Sequence, residues 1–159
     1  MPSMSETETS HVDHRRLAVD LYNATWTLLD RDDRTAEDDD AMVAAAHASM
    51  HHWSQVDGVR PENLGRGHWL CSRVHAVMVQ PDAAAYHAAR YVTIAQSEPV
   101  SDWDLAAALE ASARAAGVAG DWDAAEGFVA RARAACESIA AADDREVIET
   151  DLATVPQRP

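Results

Sequence analysis

The sequence predicts an all-α fold of antiparallel helical hairpins, with about six or seven helices. Ala is frequent within a hydrophobic fraction of 47%, and only six Gly occur among 159 residues; this mixture favours helix over sheet. Apolar residues recur at steps of three and four positions, which is the spacing of one helix face. A chain of this length buries a core without disulfides or a structural metal. We therefore expect one domain over residues 11–155.

The first two helices are predicted from caps and apolar periodicity. Helix one is expected at about residues 11–30, after a polar tail at residues 1–10 that we expect to be disordered. Thr35 and Asp38 form a capping-box pattern before helix two. Acidic side chains there would lie at the positive end of the helix dipole. The acidic run between the two helices therefore has a structural explanation.

The remaining helices are bounded by residues that start or stop a helix. Pro is tolerated in a first turn, Ser and Asp cap N-termini, and Gly often follows the last turn. In chain order these residues are Pro61, Pro81, Ser101 with Asp104, and Gly120 with Asp121. A short seventh helix is expected at about residues 143–154, before Pro156.

Helices five and six carry a repeat-like pattern of small residues around a Gly-Asp-aromatic turn. The positions are Leu109, Ser112, Ala113 and Ala116, then Gly120-Asp121-Trp122, then Ala125, Val129 and Ala132. This pattern resembles one unit of the tetratricopeptide (TPR) family. Helices three and four resemble the same unit less closely, because Gln80-Pro81-Asp82 replaces the Gly-Asp turn.

Three further segments resemble an uncharacterised bacterial TPR-like family, which implies no particular activity. The segments are residues 46–53, 72–76 and 87–90. Resemblance to TPR proteins implies stacked hairpins with a concave groove for an extended peptide, a partner helix or a second copy of the chain. The first functional hypothesis is therefore a TPR-like binding module or scaffold, with a protein partner or self-association.

Charge and composition exclude several other classes of function. The chain has 27 acidic and 13 basic residues, a net charge of −14, which opposes binding to nucleic acid and to anionic membrane surfaces. All the basic residues are Arg, so chemistry that depends on a Lys amine is excluded. Without an export signal we expect a cytoplasmic protein, in which Cys71 and Cys136 remain reduced.

Histidine is the unusual chemical feature of the chain. Eight occur, and six of them lie between His47 and His87. His87 lies in the middle of the apolar face of helix four, so we expect it to be buried. It is either a neutral core imidazole with a hydrogen-bond partner or a ligand in a site. We predict that it lies within reach of at least one of His47, His52, His68 and His75, because helices two to four are joined by short turns.

A transition-metal site is the second functional hypothesis. On helix three, His68 and His75 fall at one margin of the apolar face and Cys71 lies nearer its centre. The spacings of three and four residues suit chelation by one pair, His68 with Cys71 or Cys71 with His75, completed by His87 or a histidine of helix two. His47 and His51 are expected on the polar side of helix two, and His52 beside Trp53. The candidate ligands are His47, His52, His68, Cys71, His75 and His87, and the candidate metals are Zn, Cu, Ni and Fe.

This second hypothesis places the site in a pocket between helices two, three, four and five. The candidate ligand-binding residues are Trp53, Trp69, Arg73, Tyr91 and Glu110. Packing in the core is the alternative for the two tryptophans. Glu110 with Arg114 is expected to form an ion pair on the surface or in a groove. Because the chain has none of the catalytic motifs sought, such as G-x-S-x-G, G-x-G-x-x-G or a phosphate-binding loop, the sequence leaves open whether the protein is an enzyme.

Overall fold

Residues 12–159 are described by a computed structural model, and within them the chain forms helices and no strands. The all-α prediction is confirmed. The helices are α1 (His14–Leu29), α2 (Ala36–Ser54), α3 (Pro61–Val77), α4 (Pro81–Ser97), α5 (Asp104–Ala119), α6 (Trp122–Cys136) and α7 (Ala142–Ala153). The predicted disordered tail at residues 1–10, and the expected start of the first helix at His11, lie outside the described residues.

The helices pack as consecutive neighbours. The pairs α1–α2, α3–α4 and α5–α6 share the most extensive contacts. In addition, α2 contacts α3, α4 contacts α5, and α6 contacts α7. A second set of contacts joins α1 to α3, α3 to α5, and α5 to α7. Within residues 12–159, neither α2 and α4 nor α1 and α7 bring Cα atoms within 8 Å of each other. Two gaps therefore remain. One separates α2 from α4 and lies over α3, and the other separates α1 from α7 and lies over α3 and α5.

Local signals end the helices largely where the sequence places them. The capping box of Thr35 and Asp38 is present at the start of α2. Gly120 adopts a left-handed φ of 75° after α5, a conformation that a residue without Cβ reaches at little cost, and the Asp121 carboxylate caps α6. The N-terminal cap of α5 differs from the predicted one, which was Ser101 with Asp104. Its N-cap is Trp103, while Asp104 accepts a hydrogen bond from the Ser101 backbone N–H from inside the first turn.

Gly65 of α3 allows α4 to approach closely. A Cβ built on Gly65 would lie 2.7 Å from ring atoms of the buried Tyr91 side chain. Tyr91 cannot retreat freely, because its hydroxyl donates to Asp104. We expect Gly65→Ala to lower the free energy of unfolding by about 1 to 3 kcal/mol through overpacking, measured by urea denaturation.

Gly127 provides the matched control for this substitution. It is exposed in α6, and a Cβ there would meet nothing within 4 Å. Gly127→Ala should raise the free energy of unfolding by about 0.5 to 1 kcal/mol through helix propensity. If Gly65→Ala is as stable as Gly127→Ala, the close approach of α3 and α4 is not as described.

Candidate metal centre

Three helices bring four imidazoles and one thiol together, and we call these residues the histidine cluster. Its members are His47 of α2, His68, Cys71 and His75 of α3, and His87 of α4. On α3 the steps of three and four residues put these side chains along one helix face. On α4 the buried face contains Ala84, His87 and Tyr91, which directs His87 towards α3. The cluster spans the gap between α2 and α4.

His87 is the centre of the histidine cluster. Its Nδ1 lies 2.9 Å from His68 Nδ1, a hydrogen-bond distance. Its ring centroid lies 5.3 Å from that of His47 and 5.7 Å from that of His75, on which it stacks with only 7° between the ring planes. His47 and His75 form a second pair, with their Nε2 atoms 2.9 Å apart. The predicted convergence of His87 with other histidines is confirmed.

Three donor atoms of the histidine cluster fit one ion. His47, Cys71 and His87 each offer an atom within 4.8 Å of the other two. Ligands of a tetrahedral zinc ion are about 3.3 to 3.8 Å apart, given metal–ligand distances of roughly 2.0 to 2.3 Å. The three atoms would therefore have to move only slightly towards a common centre. His68 and His75 adjoin this triad and offer a fourth ligand.

Burial favours the neutral form of three imidazoles of the cluster, those of His47, His68 and His87. It lowers the pKa of His68 to about 4, with a further contribution from the charge of Arg90. It also lowers the pKa of His87 to about 4, with His68, His47 and His75 adding to the effect. The pKa of His47 is lowered by burial and then by His75. Neutral rings keep a free lone pair, which is the form that binds metals.

Cys71 differs from the imidazoles because it holds a proton at pH 7. Its side chain is completely buried, and burial raises the pKa of the thiol to about 12. The thiolate is the form that binds metals, so an ion at this position must displace the thiol proton. A positive charge beside the sulfur would stabilise the thiolate that burial disfavours.

Gln80 fixes the orientation of His75 from outside the cluster. His75 Nδ1 lies 2.7 Å from Gln80 Oε1, so the ring donates its Nδ1–H to the amide oxygen. A neutral His75 then has its lone pair on Nε2, which accepts from His47 Nε2–H at 2.9 Å. Hydrogen bonds of this kind hold metal-binding histidines in a single tautomer. No sequence pattern marks Gln80 as part of the site, because its contact with His75 depends on the turn between α3 and α4.

One histidine of α2 lies at a different position from the one expected, and one candidate ligand of α2 lies outside the histidine cluster. His47 was expected on the polar side with His51, but it adjoins the buried Ala46 at the edge of the packed face and meets α3 and α4. The candidate ligand His52 instead pairs with His14 of α1, with their Nδ1 atoms 2.8 Å apart. His51 is exposed beside it. One helical position turns a side chain by about 100°, so adjacent histidines face different neighbours.

The five candidate ligand-binding residues occupy three separate settings. Trp53 is buried, with the Arg15 guanidinium 5.6 Å from its ring centroid. Tyr91 is buried and donates to Asp104. The other three, Trp69, Arg73 and Glu110, are neighbours, with the Arg73 guanidinium lying over the Trp69 ring and bonding to Glu110.

Glu110 is more deeply buried than the sequence suggested. It was expected in an ion pair at the surface or in a groove, yet the residue is only 1% exposed. Its carboxylate accepts from Arg114 Nε at 2.8 Å and lies 3.4 Å from Arg73 Nη2. Arg114 also donates to backbone oxygens of α7 and the residue after it, at Asp151 and Thr154. Glu110 therefore helps to connect α3, α5 and α7.

Comparison with family models, curated proteins and solved structures finds no match to this chain. The TPR-like identity therefore remains a prediction from the sequence pattern. Among residues 12–159, no helix is both long and apolar enough to cross a membrane. Fold and site together define an all-α domain with a partly buried cluster of imidazoles and one thiol.

Proposed function

We propose that this protein binds one transition-metal ion at His47, Cys71 and His87, with His68 or His75 as a fourth ligand. The observation that carries the proposal is the convergence of three donor atoms from three helices within 4.8 Å. A scaffold has no need for such convergence, whereas a metal site requires it. The alternative hypothesis of a TPR-like module for a protein partner or a second copy rests on resemblance alone.

The donor set favours Zn²⁺ or Cu⁺ among the metals considered. Imidazole nitrogen suits Zn, Cu, Ni and Fe, and the thiolate sulfur of Cys71 favours zinc and monovalent copper among them. Three ligands plus a fourth imidazole would close the coordination shell, as in structural zinc sites. If the fourth position is taken by water, the same ion would act as a Lewis acid or activate that water. The coordination number therefore decides between a structural and a catalytic role.

A metal titration tests the proposed function. Protein freed of metal with a chelator should bind one equivalent of Zn²⁺, measured by calorimetry and by elemental analysis after gel filtration. Co²⁺ as a probe should give the intense visible absorption of a tetrahedral site and a thiolate charge-transfer band. His87→Ala and Cys71→Ala should each weaken Zn²⁺ binding by about 100-fold or more, because each removes a ligand.

His51→Ala is the matched control for these variants. It removes an exposed histidine of α2 that lies outside the histidine cluster, so Zn²⁺ affinity should stay at the wild-type value. Far-ultraviolet circular dichroism would check that each variant remains helical. Binding of fewer than 0.2 equivalents by the wild type, or equal losses in His51→Ala and His87→Ala, would reject the metal site.

A further inference from the structure

A cleft lined by aromatic rings lies between the first and the last helix. We call it the aromatic cleft, and its walls include the rings of Tyr22, Trp26, Trp69 and Trp103, the Arg66 side chain, and Asp144 and Asp151 on α7. It has a volume of about 200 Å³. Because α1 and α7 bring no Cα atoms within 8 Å of each other in the described part of the chain, α3 and α5 form its floor. The histidine cluster lies elsewhere, between α2 and α4.

Aromatic faces around this cleft already bind positive groups of the protein. The Arg66 guanidinium lies 4.1 Å from the centroid of the Trp103 ring, and the Arg73 guanidinium lies 5.3 Å from that of Trp69. Within residues 12–159, no Arg is stacked on Tyr22 or Trp26. The Trp26 ring packs against that of Trp69, with centroids 5.3 Å apart, and the parts of Tyr22 and Trp26 that line the cleft remain available to a cation from outside.

The uncompensated charge of the aromatic cleft is negative. Arg66 forms a bidentate pair with the buried Asp104 carboxylate. Arg73 bonds to Glu110 and lies 3.1 Å from Asp151. Asp144 is exposed at the cleft and has no ion-pair partner among the described residues. With a net charge of −14, the whole chain also attracts cations towards this surface.

We propose that the aromatic cleft binds a small organic cation of the quaternary or alkylated ammonium class. The ring faces of Tyr22 and Trp26 contact the cation, and the Asp144 carboxylate supplies the opposite charge. Aromatic faces attract such cations through the ring quadrupole, and partial desolvation strengthens the attraction. The volume is below the roughly 300 Å³ at which pockets for drug-sized ligands begin, so the ligand must be small.

Choline and its neutral carbon analogue, 3,3-dimethylbutan-1-ol, provide a test of this site. The two molecules have nearly the same shape and differ in charge. In a buffer containing a chelator, which keeps the test independent of the metal site, calorimetry should show choline binding about tenfold or more tightly than the alcohol. Trp26→Leu, which keeps the wall apolar, should weaken choline binding by about tenfold. Asp144→Asn should weaken it severalfold, and more at low salt.

Trp122→Leu is the control, because Trp122 lies on α6 against a different cavity. It should leave choline binding unchanged. Equal binding of choline and the alcohol, tighter binding of indole than of choline, or no choline binding at 50 mM would each overturn the proposal. Self-association that is lost in Trp26→Leu would assign the cleft to a second copy and overturn it as well.

Discussion

Asp104→Ala is expected to lower the free energy of unfolding by about 3 to 5 kcal/mol, the range for breaking a buried ion pair by removing one partner. Asp104 is completely buried at the start of α5. Its two carboxylate oxygens lie 3.1 Å from Nε and Nη2 of Arg66 on α3. They also accept hydrogen bonds from the Tyr91 hydroxyl on α4 and from the Ser101 backbone N–H. One carboxylate thus joins three helices.

The substitution removes the acceptor of several polar groups, of which the Tyr91 hydroxyl belongs to a completely buried residue and the Arg66 side chain is 28% exposed. Arg66 would keep its charge without a counter-ion, and the buried Tyr91 hydroxyl would lose its acceptor. Each unsatisfied buried group costs about 1 to 3 kcal/mol, and more when it is charged. Asp104→Asn should have a smaller effect, because the amide oxygen still accepts one hydrogen bond.

Urea denaturation of wild type and variants measures this effect. Asp123→Ala is the matched control, since Asp123 also pairs with an arginine, Arg158, but both groups are exposed. Surface pairs contribute little, so the unfolding midpoint of this variant should not change. If Asp104→Ala and Asp123→Ala have the same midpoint, the carboxylate of Asp104 is not the connection between helices that the structure shows.

Asp104 also shows which part of the fold the sequence can reveal. Its position before an apolar run indicates a helix start, and α5 does begin there. Such signals are local, as are the capping box at Thr35 and the glycine at position 120, so they can be predicted within a few residues. The partner Arg66 lies 38 residues away. No short-range pattern specifies that contact, because it depends on how α3 and α5 pack.

The histidine cluster likewise has features that the sequence predicts and features that depend on packing. The convergence on His87 could be predicted, because a buried face and short turns constrain where α4 points. Which histidines lie beside His87 could not be predicted. A rotation of α2 by one position would exchange His47 for a neighbour, and this rotation is set by the packing of residues such as Met42 and Trp53 in the core. His52 consequently pairs with His14 rather than with the cluster.

Acid is expected to unfold the metal-free protein through His68 and His87. Both pKa values are lowered to about 4 in the folded protein, mainly by burial, against about 6.5 in an unfolded chain. Between pH 6.5 and 4 the unfolded state therefore binds more protons, and stability falls as the pH falls. Above about pH 7.5 neither state is appreciably protonated at these rings, so their effect on stability is constant.

The expected loss from pH 6.5 to 4 is roughly 3 to 5 kcal/mol for the two rings together. Full linkage would give about 1.4 kcal/mol per pH unit for each ring. We reduce that figure because the rings influence each other and His68 is only partly buried. When both are charged, the 2.9 Å contact between their Nδ1 atoms also loses its acceptor, since each nitrogen then carries a proton.

Urea denaturation in a chelating buffer at pH 7, 6, 5 and 4 tests this prediction. The double variant His68→Asn/His87→Asn removes both titrating rings and should show a clearly shallower loss of stability towards low pH. His51→Asn changes an exposed histidine outside the cluster and should follow the wild-type curve. If the double variant loses stability as steeply as wild type between pH 6.5 and 4, other groups cause the acid unfolding, and the two imidazoles are not held neutral by burial.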